Sequence, residues 1–164
     1  SFPRSALTLI MPFGCQLANA SGWLNLSDRV LGGMWAFAAI WLVILWRGFL
    51  SPDPTVQEQS AKINWGLNLI LALGVSAIGI YLLTSTTTPD WLALKILAVG
   101  AIFCAGVALD LFFKPAVDIF LALGATPDDA ELNAAYQRAL SPVYIAVLAI
   151  YAFALIAAAL GVFK

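Results

Sequence analysis

A chain of 164 residues that is 62% hydrophobic and only 10% charged cannot coat itself against water, because soluble domains are about half apolar and a quarter charged. Eight Lys and Arg against nine Asp and Glu, for a net charge of −1, leave no basic field for nucleic acid. The absence of histidine removes the usual ligand of haem and a required member of Ser-His-Asp and di-iron carboxylate sites.

With lipid as solvent, backbone polar groups must pair within the chain, so the expected fold is all-α: an integral membrane helical bundle forming one domain over 1–164. In segment 1–26, Arg4, the apolar run 6–15 and Ala18-Asn19-Ala20 imitate a signal peptide with a small-residue cleavage site. Pro12, Gln16 and Asn19 interrupt it, which predicts an interfacial or partly re-entrant piece; a fifth span over 5–22 is the other reading.

A span needs about 20 mainly apolar residues. The first is expected over 30–50, with Ser27 as N-cap and Asp28 in the first turn, ended by Ser51-Pro52-Asp53-Pro54. The second covers 63–83, its helix starting in water near Pro54 with Asp53 as cap, and the Ser/Thr run 84–88 stops it. The third covers 91–113, capped by Thr88 and opened by Pro89, and is expected to end before Lys114-Pro115.

Gly124 then closes a short apolar turn, and Thr126-Pro127-Asp128-Asp129 supplies a cap, an opening proline and two acids for a short surface helix over 127–140. Leu132, Ala135, Tyr136 and Ala139 share one face of it, suited to the membrane surface or a neighbouring subunit. Ser141-Pro142 opens the fourth span, 142–163.

Arg47, Lys62, Lys114 and Arg138 flank the loops 51–62 and 114–141, whereas the loop after the second span carries no base. The positive-inside rule puts those two loops in the cytoplasm and both termini in the periplasm; Arg4, Arg29 and Lys164 count on the other side.

Few residues could carry chemistry. Lys95, four residues after Trp91, either snorkels to the interface or forms an intramembrane anion or proton site. Asp110 precedes Lys114 by four residues, the spacing of a helical acid–base pair. Asn64 and Asn68 put a polar face on the second span, as interhelical fasteners or as ligands to a bound molecule. Trp35 and Trp41 lie deeper than the other tryptophans and offer packing surface or a stacking face for a pigment or quinone.

Cys15 and Cys104 have neither disulfide nor zinc spacing. Rows of small residues, among them Gly32 and Ala36, Gly74 and Gly79, Gly100 and Cys104, Ala157 and Gly161, suit close helix approach. No nucleotide loop, metal cluster or nucleophile motif appears in the sequence.

The Gly-rich second span (66–83), followed by a short polar loop and a third span opened by Trp91 and Lys95, resembles small bacterial four-helix membrane proteins of the copper-resistance D family over about 29–164. The resemblance implies a bacterial inner-membrane bundle, tied in some members to copper uptake. With no histidine and only Met11 and Met34 as thioether donors, the architecture is what carries over.

Two functions compete. One is a non-catalytic accessory or structural subunit of a larger energy-converting complex, respiratory or photosynthetic, partnered by membrane lipids and other membrane subunits. Such a subunit would contact lipid, pigment or quinone tails without His ligation. The other is a small transporter or channel, copper-resistance D-like or coupled to protons or ions, using the Lys62, Asn64 and Asn68 face or Asp110. No enzyme activity is expected, because no acids, bases or metal ligands converge.

Overall fold

The computed structural model describes residues 2–84, 88–126 and 129–162. Among them are five helices and no strand: α1 (Phe2–Ala20), α2 (Asp28–Leu50), α3 (Pro54–Leu83), α4 (Asp90–Ala125) and α5 (Ala130–Val162). Helices α2 to α5 are long and apolar enough to cross a membrane, which marks an all-α membrane protein. Its many exposed Leu, Ile, Val and Phe side chains suit lipid rather than water. The chain divides into two compact units, 1–64 and 65–164.

In the first unit, α1 is one continuous helix through Pro12 and does not count among the helices able to span. It packs on α2 through Phe13 and Trp35, edge to face with ring centroids 4.8 Å apart. Between them the chain turns at Gly22, whose φ of 74° is the only positive value among the described residues and is open to glycine without strain. Asn19 Oδ1 secures that turn by accepting from the backbone N–H of Leu26 at 2.7 Å.

The α2–α3 connection follows the sequence closely. Asp53 caps α3, accepting from the Thr55 amide at 2.8 Å and the Thr55 hydroxyl at 2.7 Å. The Thr55 hydroxyl, then its amide, hold the Asp53 carboxyl below its ordinary range.

In the second unit, two expected boundaries move. Helix α4 does not end before Lys114-Pro115 but runs on to Ala125. The short surface helix and the fourth span are one helix, with Pro142 inside α5. The cap of α5 falls at Asp129, whose Oδ1 accepts from the amides of Glu131 and Leu132 at 2.9 and 3.0 Å; the predicted Pro127 and Asp128 lie outside the described residues. Likewise α4 is capped at Pro89 rather than by the Thr88 side chain.

Packing explains why neither proline breaks its helix. From the Phe120–Tyr136 ring contact to the close approach of Lys95 and Gly161, each helix advances twenty-five residues in opposite directions. Neither slips on the other across Pro115 or Pro142. Each proline removes one backbone hydrogen bond, and the long antiparallel α4–α5 contact offsets that loss.

Candidate functional site

The polar candidates sit on the buried face of α3, where Ser60, Asn64, Asn68, Ala72, Val75 and Gly79 recur every three or four residues. The N-terminal part of this face meets α2. A Cβ at Gly48 would collide with that of Ser60, so glycine is needed for the two helices to come this close. One turn on, Trp41, only 2% exposed, donates its indole N–H to Asn64 Oδ1 at 3.0 Å. A buried amide in lipid-like surroundings must find a partner, and here the partner is the deepest tryptophan.

Within the second unit, the C-terminal part of α3 meets α4. A Cβ at Gly79 would stand 2.9 Å from the Leu97 backbone nitrogen, and one at Gly100 would stand 2.9 Å from that of Ser76. Both are backbone-to-backbone approaches that only a missing side chain permits. Gly32 and Gly74, which share the same small-residue spacing, face open space.

Asn68 differs from Asn64. It is 4% exposed, and its Oδ1 is buried with no hydrogen-bond partner among the described residues. Such an acceptor costs about 1–3 kcal/mol.

Trp35 is engaged by α1, donating its indole N–H to Gln16 Oε1 at 2.6 Å. Sequence reasoning missed this pair, which spans nineteen residues; a glutamine among apolar residues, needing a partner in lipid, was the only hint. Both deep tryptophans therefore spend their N–H groups within the chain.

Lys95 is half-buried on α4, and its Nζ lies 2.8 Å from where a Cβ of Gly161 would stand. The ammonium thus rests over the C-terminal turn of α5, where helix carbonyls favour a cation. Asp110 is half-buried on the same helix, fifteen residues on and about 22 Å away along the axis, so the two do not meet.

Among the described residues no three His, Cys, Asp or Glu side chains converge as a metal site. The structure joins Asn64 to Trp41 and Trp35 to Gln16, and keeps Lys95 and Asp110 apart on α4.

In the second unit a groove of about 190 Å³ lies between α4 and α5, lined by Phe113, Ala116, Val117, Phe120 and Tyr136. The rings of Phe120 and Tyr136 lie 5.9 Å apart across it. Pockets for drug-sized ligands run to about 300–1,000 Å³, so this groove would enclose only part of such a molecule. No family model matches the chain, and no curated protein or solved structure matches it.

Proposed function

We propose that the chain is a non-catalytic subunit of a larger membrane complex, an energy-converting assembly of a bacterial inner membrane, where it packs helices and contacts lipid or cofactor tails. The observation that carries this reading is the length of α4 and α5 together with what they expose. Their 36 and 33 residues span about 54 and 50 Å, against about 30 Å of hydrocarbon.

Even a tilt of 40° takes up only about 26 residues. Asp90 and Trp91 mark one interface, so the surplus of α4 falls at its C-terminal end. There Phe120 and Leu121 are 59% and 68% exposed. Apolar side chains beyond the hydrocarbon need protein to cover them.

Solubilising native membranes in mild detergent tests the proposal: the chain is expected to migrate with a larger assembly, and recovery only as a free monomer refutes it. Segments 51–62 and 114–141 face the cytoplasm on this reading.

A second reading, a small transporter or channel, draws support from the unpartnered acceptor of Asn68. Buried polar atoms in spans commonly mark a substrate path. Purified protein in proteoliposomes would then lose transport in the Asn68→Leu variant while keeping its fold; unchanged flux removes this alternative.

A further inference from the structure

We infer that α1 crosses the bilayer as a fifth span, antiparallel to α2, so that its Phe2 end lies on the same side as segment 51–62. This topology is independent of the subunit reading and of which side is the cytoplasm.

Composition alone leaves α1 short of a span, because Arg4, Thr8, Gln16 and Asn19 dilute its apolar run. The structure accounts for the three that would enter lipid. Thr8 is 3% exposed, and its hydroxyl donates to the Arg4 carbonyl at 3.0 Å. Gln16 is held by the Trp35 indole, and Asn19 sits in the last turn, bonded to the Leu26 amide. A polar group whose hydrogen bond is made within the protein costs far less in hydrocarbon than an open one. Pro12 is buried and leaves the helix continuous.

The faces of α1 are the reverse of those on a surface helix. Between Arg4 and Ala20 its exposed positions are Ala6, Ile10, Phe13, Gly14, Gln16 and Leu17. A helix lying on a membrane turns a charged face to water. Here the outward face is apolar but for Gln16, whose oxygen is taken, and Thr8 is turned inward. Lipid is the solvent that suits such a face.

Length and register agree with this. The 19 residues of α1 rise about 28 Å, close to the roughly 30 Å of hydrocarbon. Helix α1 packs on α2, with Phe13 and Gln16 both on Trp35. Thr8 and Pro12, nearer Phe2, are buried as well, so the packed face continues past that contact. From Trp35, α2 runs on fifteen residues to Leu50, about 22 Å; from Gln16, α1 runs back fourteen to Phe2, about 21 Å. Where α2 crosses the bilayer, α1 therefore crosses with it.

Charge is an independent support. With α1 on the surface, Arg4 stands beside Arg29, against the bias set by the other connections. As a span, α1 carries Arg4 to the side of Arg47, Lys62, Lys114 and Arg138, leaving Arg29, Lys95 and Lys164 opposite. Such one-sided gathering of bases near span ends is what fixes orientation during insertion.

The test expresses the full chain in bacteria with Cys15 and Cys104 replaced by Ser and one reporter at a time. Ser1→Cys stands just before α1, Asn25→Cys is exposed in the α1–α2 connection, and Gln59→Cys is exposed near the start of α3. A membrane-impermeant maleimide is applied to spheroplasts and to inverted inner-membrane vesicles. Ser1→Cys and Gln59→Cys are expected to label in the same preparation, and Asn25→Cys only in the other. Joint labelling supports the fifth span whichever preparation shows it; in spheroplasts it also reverses the cytoplasmic assignment.

Ser1→Cys labelling together with Asn25→Cys, or equally in both preparations, overturns the inference. So does a product cut after Ala20 that has lost the Ser1 label. The unmodified chain in phosphatidylcholine nanodiscs gives a second reading free of substitutions: amides 8–16 of α1 should exchange as slowly as amides 36–44 of α2. Exchange as fast as that of 55–60 overturns the span. Recovery of the chain only as a free monomer refutes the subunit reading and leaves these results untouched.

Discussion

Asn64 and Asn68 are the same residue type one turn apart on one helix, yet their surroundings assign them opposite energetic roles. Asn64 satisfies the indole of Trp41, so Asn64→Leu strands a buried donor and is expected to destabilise the protein by about 1–3 kcal/mol. Asn68→Leu removes an acceptor that has no partner and is expected to be neutral or stabilising. Thermal or detergent-induced unfolding of the two variants separates them, and an equal loss would contradict the assignment.

Spacing alone revealed the polar face but not this difference, because which amide meets an indole depends on the depth and rotation of α2. Lys95 shows the same limit. Its place one turn after Trp91 was readable from spacing, whereas its resting place over Gly161 depends on a helix some sixty residues later.

Asp53 makes a pH prediction. Its folded pKa is lowered, first by the Thr55 hydroxyl and then by the Thr55 amide, so its capping contribution is complete above the unfolded value. It is lost as pH falls through the lower folded value. Exchange protection of the Thr55 amide should therefore persist to about pH 4 and fade only in stronger acid.

At the scale of elements, the glycines separate by what stands opposite them. Gly79 and Gly100 face backbone atoms at 2.9 Å, which cannot swing aside, so Gly79→Ala and Gly100→Ala should each cost about 1–3 kcal/mol. Gly161 faces the far end of a lysine, which can move, so Gly161→Ala should be nearly silent in the same unfolding measurement.

The sequence marked all three positions together with Gly32 and Gly74, and small-residue spacing could not separate contact from open space. Helix existence was far more legible than helix boundaries. Four helices long and apolar enough to cross a membrane stand where the four apolar runs were read, while the prolines misled. Pro115 and Pro142 are local signals for a break, and pairing over twenty-five residues of register outweighs the single hydrogen bond each removes.

For the whole molecule, the membrane class was legible from composition alone, because a surface with so few charges has only one compatible solvent. The two-helix projection was not, since it requires α4 and α5 to continue through sites that read as ends. It can be checked directly. With Cys15 and Cys104 replaced by Ser, a Leu121→Cys variant should react with a membrane-impermeant maleimide in the purified chain. On the subunit reading a partner would cover that face in native membranes, and the variant should be protected there. Absence of labelling in both states would place Leu121 in hydrocarbon and remove the basis for a projecting hairpin.

The overlength of α4 also bears on biogenesis. A nascent segment of 36 helical residues offers the insertion machinery several windows of about twenty, and apolarity by itself gives none of them precedence. Asp110, Lys114 and Asp118 act as a depth gauge, because each costs about 3 kcal/mol at the bilayer centre; they push the inserted window toward Trp91. Once α5 emerges, its fixed register against α4 locks that depth in place. Without those three charges α4 would be a sliding anchor, and ribosomes would release a mixture of chains seated at different heights.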